Sequence, residues 1–149
     1  MPLDSNVQMW ATAISRNQSS GRAIIFRFAK TLSPTFDKAS QPIRVIIAWK
    51  YYDSQNGQPI KRELEQMELL EDALGSALDA DNFATLALVS TGEGLREWIY
   101  YTKSESEFAA RFTFAIAEMP ELPIEIHSAF DPDWSMYEQF KSGVKEVVN

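Results

Sequence analysis

The run from Ile43 to Tyr52 constrains this chain more than any other stretch, because Val45, Ile46, Ile47, Ala48 and Trp49 leave neither side of it polar. Successive side chains of a strand point to opposite faces, so a strand apolar on both faces needs cover on both and belongs inside a sheet. Pro42 suits the start of such a strand and not its middle. The next segment supplies cover. Between Ile60 and Ala80, Leu64, Met67, Leu70, Leu74 and Leu78 recur at three- and four-residue spacing, the stripe of an amphipathic helix. Its other side is acidic, with Glu65, Glu68, Asp72 and Asp79, and with Glu71 flanking the stripe.

A hairpin is expected next. Phe83 to Val89 is an apolar run, Gly92 and Gly94 permit the positive φ of a tight turn, and Leu95 to Thr102 alternates. Arg96, Trp98 and Tyr100 share one face of that strand; Leu95, Glu97, Ile99 and Tyr101 share the other. Ser104-Glu105-Ser106-Glu107 is a capping box opening a second helix, with Phe108, Phe112, Ala115, Ile116 and Met119 as its stripe and Pro120 and Pro123 as its end. Ile124 to Phe130 is the last strand. Asp131 reads as the N-cap and Pro132 as the first position of a short C-terminal helix carrying Trp134, Tyr137 and Phe140 inward, before a tail from Val144 expected to fray.

From Ile43 the order is therefore strand, helix, strand, strand, helix, strand. It predicts an α+β fold of the ferredoxin-like βαββαβ kind, an antiparallel sheet with both helices on one face. The strands beginning near Ile43 and Leu95 should be central. Ahead of this core (42–140) lies an N-terminal hairpin within 7–30: Val7 to Ser15, a turn at Asn17 to Gly21, then Gly21 to Lys30. Ile24, Phe26 and Phe28 share one face of its second strand, while Arg27 interrupts the other and marks that face as partly wet. The hairpin would extend the sheet at an edge or cover its second face. Thr31 to Gln41 and Asp53 to Pro59 read as connections. The 149 residues make a single domain, 1–149.

Composition narrows the chemistry. The net charge of −7 opposes non-specific nucleic-acid and anionic-membrane binding and suits a basic protein partner. Without cysteine there is no disulfide, thiol catalysis or thiolate metal site. Met1 to Asn6 show neither the basic start nor the apolar run of a signal peptide, so a cytoplasmic location is expected. His127 is the only histidine, and no nucleophile elbow, zinc spacing or phosphate loop accompanies it. Gly92-Glu93-Gly94 precedes a strand rather than a helix. No catalytic residue, metal or cofactor is expected. Asp131 and Asp133 are explained by helix capping.

Three stretches carry a resemblance: Leu69 to Leu74 (Leu-Leu-Glu-Asp-Ala-Leu), Gly94 to Tyr101 (Gly-Leu-Arg-Glu-Trp-Ile-Tyr-Tyr), and Asp131 to Tyr137 (Asp-Pro-Asp-Trp-Ser-Met-Tyr). The last is the most specific, an Asp followed at three-residue steps by Trp and Tyr. Over roughly Ile43 to Phe140 the chain resembles the bacterial family known as domain of unknown function 695. It departs from that family where Lys141-Ser142 follows Phe140 in place of an aromatic and a proline. The family carries no established activity across. Some of its relatives resemble the regulators of ribonuclease E activity, small acidic α+β proteins that act by binding an enzyme, which is an analogy of fold and not of site.

These readings lead to one expectation and two alternatives. The first is a non-enzymatic binding or regulatory module acting by protein–protein contact, with homodimers possible through the sheet edges. The second is a small-molecule or hydrolytic site on the open sheet face around Arg96, Trp98, His127 and Trp134, with Tyr100 and Asp131 as further candidates for ligand or partner binding. The third is an acidic mimic of nucleic acid, which needs the helix acids to form one exposed stripe.

Overall fold

The computed structural model describes residues 6–52, 56–79 and 81–145. The expected connection at Asp53 to Pro59 and the tail from Val144 fall partly outside these residues, as does the N-terminal stretch before Asn6. Strands β1 (Val7–Arg16), β2 (Ala23–Leu32) and β3 (Ile43–Lys50) are followed by helix α1 (Lys61–Leu78). Then come β4 (Ala84–Gly92), β5 (Leu95–Thr102), α2 (Glu105–Ala115), β6 (Ile124–Phe130) and α3 (Ser135–Gly143). A single 3₁₀ turn at Lys38–Ser40 interrupts the expected loop before β3.

The six strands form one sheet in the order β1-β2-β4-β5-β3-β6, with every neighbouring pair antiparallel. β3 and β5 lie inside it, as their apolar patterns require. The order is not that of a four-stranded sheet alone, because β2 and β1 continue the sheet beyond β4. The N-terminal hairpin thus extends the sheet and does not cover it.

Apolar clusters fill both faces. On one, α1 and α2 bring Met67, Leu70, Leu74, Leu78, Phe108 and Phe112 against Val45, Ile47, Trp49, Val89, Trp98 and Tyr100. On the other, Trp134 and Tyr137 of the C-terminal segment meet Phe28, Leu88, Ile99 and Tyr101. This corrects the expectation of an open face. Alternation sorts β5 into Arg96/Trp98/Tyr100 and Ile99/Tyr101 but does not say which set the helices cover. The helices cover the first set, and α3 closes over the second.

Local chemistry explains the joints. Ser104 Oγ accepts from the Glu107 N–H at 3.2 Å, starting α2 where the capping box is written. The β4–β5 turn has positive φ at Glu93 (53°) and Gly94 (78°), which is the type I′ pair that matches strand twist. Gly92 serves otherwise: a Cβ there would stand 2.6 Å from the Ala23 carbonyl oxygen of β2. The start of α3 also differs from expectation. Its N-cap is Trp134, in the left-handed region at φ 56°, and Pro132 lies ahead of the helix. Asp131 still caps, reaching forward to the Ser135 N–H at 2.8 Å and the Met136 N–H at 3.3 Å. Among the described residues, no helix is long and apolar enough to cross a membrane.

Candidate functional site

The six residues singled out in the sequence do not converge. Arg96, Trp98 and Tyr100 lie beneath α1 and α2. Trp98 is wholly buried, edge-on to Trp49 at 6.3 Å, and its Nε1–H donates to Glu71 Oε1 at 2.8 Å. Arg96 reaches along the strand to donate to Thr91 Oγ1 at 2.8 Å, with its guanidinium 5.6 Å from the Trp98 ring centre. The acid that acts on its charge most strongly is Glu71 of α1. On the opposite face His127 is exposed on β6, 3.4 Å from Glu125. A shared pocket around Arg96, Trp98, His127 and Trp134 is ruled out, because the sheet stands between them.

Asp131 and Trp134 have structural work. Trp134 stacks on Tyr101 at 4.2 Å, nearly parallel, and its Nε1–H is shared by the Lys38 and Gln41 carbonyl oxygens at 3.0 Å each. Tyr137 donates its hydroxyl to the Ala29 carbonyl oxygen of β2. Asp131 accepts from the Tyr101 hydroxyl at 2.8 Å and pairs with Arg44 at 3.3 Å. Burial raises the Asp131 carboxyl, but the bonds from Tyr101, Ser135 and Met136 outweigh it and hold it below the usual carboxylate range. The Asp-Trp-Tyr motif is therefore a clasp fastening α3 to the sheet.

A different place has the shape of a site. The helix layer of α1 and α2 packs on β4, β5, β3 and β6, while the sheet runs on through β2 and β1. Where that layer stops, a cleft of about 430 Å³ opens between α1 and the sheet extension. Such a volume lies in the range of small-ligand pockets, about 300–1,000 Å³. Glu71, Asp72 and Gly75 line it from α1 and Asp79 from the C-cap of that helix, with Trp10 and Arg27 from the hairpin and Leu86 and Tyr100 from β4 and β5. A Cβ at Gly75 would meet only Asp79 Oδ2, at 3.8 Å.

Its charges are unevenly satisfied. Arg27 donates to Glu71 Oε1 at 2.5 Å and stands 5.6 Å from the Trp10 ring centre, so Glu71 and Arg27 neutralise each other. Asp72 and Asp79 have no ion-pair or hydrogen-bond partner for their carboxylates among the described residues. Burial raises the Asp79 carboxyl to about 6. Tyr100 is 1% exposed and lines the cleft; its hydroxyl has no protein partner among the described residues but is not sealed from the surface, whereas Trp49 Nε1 is buried without one. Burial, reinforced by Asp79 and Glu71, pushes that hydroxyl far above the ordinary phenol range and keeps its proton on. No three His, Asp or Glu groups among the described residues stand close enough to hold a metal ion.

Sequence reasoning selected Tyr100 but missed the rest of the cleft. Two signals pointed there: Arg27 breaking the apolar face of its strand, and Glu71 at the border of the α1 stripe. What was missing is that these two meet across 44 positions of sequence. The acids of α1 likewise divide. Glu65, Glu68, Asp72 and Asp79 keep exposed surface, while Glu71 turns in to Arg27 and Trp98.

Fold and cleft together define an α+β protein with a two-faced antiparallel sheet and an acidic crevice at the end of its helix layer. The chain belongs to the Family of unknown function (DUF695), whose model matches residues 8–141. That match begins in β1, so the family domain includes the N-terminal hairpin as well as the stretch from Ile43 onward. No curated protein matches the chain.

Proposed function

We propose that this protein is a non-enzymatic binding module that receives an organic cation, an ammonium or guanidinium group, in the α1–hairpin cleft. The single observation carrying the reading is that the cleft gathers a phenol hydroxyl and a carboxylate, Tyr100 and Asp79, neither of which has a hydrogen-bond or ion-pair partner among the described residues. Facing the cleft with no protein partner, both groups are free to pair with a ligand, and a hydrogen bond to a charged group is worth more than a neutral one. A cation bearing N–H donors pairs with both. The acids are too spread for one metal ion, which favours an extended organic cation. The net charge of −7 favours the same sign of ligand.

The cation has two sources, a small amine or a basic side chain of a regulated protein partner. Calorimetric titration with a linear diamine and, separately, with a lysine-rich peptide distinguishes them. Saturable binding is expected, with Asp79→Asn weakening it about tenfold, since a charged hydrogen bond is worth about 1.5–3 kcal/mol. Affinity should rise with pH through about 6 and then level off, because only the ionised Asp79 attracts a cation. Binding of the diamine alone identifies a small-molecule site; binding of the peptide alone identifies a protein partner. Absence of saturation with both overturns the reading.

The fold reading that accompanies this function is a ferredoxin-like core extended by a hairpin. It is supported by the succession β6-β3-β5-β4, in which the first strand of the βαββαβ unit lies between its fourth and third. The setting we infer is the bacterial cytoplasm, in keeping with a cysteine-free acidic chain.

A further inference from the structure

We propose that β6 pairs antiparallel with β6 of a second copy of this chain, centred on Ile126, to join two sheets across a two-fold axis. The inference is independent of the cleft, which lies toward the opposite edge of the sheet. The Asp131 N–H donates to the Pro42 carbonyl at 2.8 Å and the Lys50 N–H to the Pro123 carbonyl at 3.4 Å. With the β3–β6 register, these bonds assign the odd-numbered residues of β6 to β3. The N–H groups of Ile126, Ser128 and Phe130 therefore face away from the sheet.

The edge carries little that blocks pairing. β6 contains no proline, glycine or lysine, and its register on β3 is regular throughout. The opposite edge differs, since β1 has irregularities at Val7/Met9 and Met9/Trp10. β6 also exposes Ile126 (43%) and Phe130 (73%) on its helix-facing side.

Side chains select the copy and the register. With Ile126 opposite Ile126, the outward backbone groups meet in hydrogen-bonded pairs. Glu125 then faces His127 of the second copy, and His127 faces Glu125, at the closely spaced non-hydrogen-bonded positions. The pairing is complementary to itself, as a two-fold interface must be. His127 can donate to a carboxylate through a ring N–H in either protonation state.

The test is sedimentation velocity of the full chain over a wide concentration range, with three variants. The wild type should self-associate to a dimer. Ile126→Pro removes an outward N–H without taking a bond from β3, and should weaken the dimer by about tenfold or more. Glu125→Lys places a cation against His127 and should weaken it as well. The double exchange Glu125→His with His127→Glu recreates the same pairs in reverse order and should restore dimerisation, a result a misfolded variant would not give. A wild type that stays monomeric throughout, or a dimer indifferent to Ile126→Pro and Glu125→Lys, overturns the proposal. Association that appears only with a different protein overturns it too.

Discussion

At the scale of single residues, Asp131 shows how one side chain can be read correctly in kind and wrongly in place. Its identity announced a cap, and it caps; but the helix begins later, and the same carboxylate also holds Tyr101 and Arg44. Asp131→Ala should cost about 2–4 kcal/mol in urea unfolding, more than a cap alone, because the buried Tyr101 hydroxyl and Arg44 also lose their acceptor. The pH dependence stems from the lowered carboxyl. A group depressed on folding contributes stability that is present above its unfolded value, about 3.9, and lost as pH falls through the folded value. The wild type should therefore weaken in the acid limb, and Asp131→Asn should flatten that limb. Unfolding midpoints at stepped acid pH check both.

At the scale of elements, the boundaries of α1, β5 and β6 lie within a residue or two of the hydrophobic pattern. The hairpin turn was legible as a turn, yet its glycines divide the labour differently from the expectation. Gly94 supplies positive φ, whereas Gly92 supplies room for β2. Because the atoms a Cβ would meet at Gly92 include the Ala23 carbonyl at 2.6 Å and Ile24 Cα at 2.8 Å, the strain cannot be relieved by rotating a side chain. Gly92→Ala should destabilise by about 1–3 kcal/mol or more, as overpacking does, with the loss visible as a lower urea midpoint. The clasp of α3 belongs to this scale too. Trp134, Tyr137 and Asp131 recur at three-residue spacing, and each bonds or stacks on a different segment: the 38–41 loop, β2 and β5.

At the scale of the whole molecule, one sheet serves two cores. β3 and β5 contribute to both, through Val45, Ile47, Trp98 and Tyr100 on one side and Ile46, Ile99 and Tyr101 on the other. β1 contributes to one only and lies at an edge. Native-state hydrogen exchange should therefore show the slowest amides in β3 and β5, opening with global unfolding, and faster exchange in β1. The order of strands and helices, the interior place of β3 and the two sets of side chains along β5 were all written in local periodicity. Period 2 and period 3.6 are properties of neighbouring residues, and they survive without knowledge of anything distant. Which set of β5 faces the helices, where the hairpin attaches and what lies against Arg27 depend on pairings between segments far apart in the chain. Those were decided only in the tertiary structure. The cleft belongs to the second class: it exists because six strands underlie a helix layer that covers four, and no single segment records that mismatch.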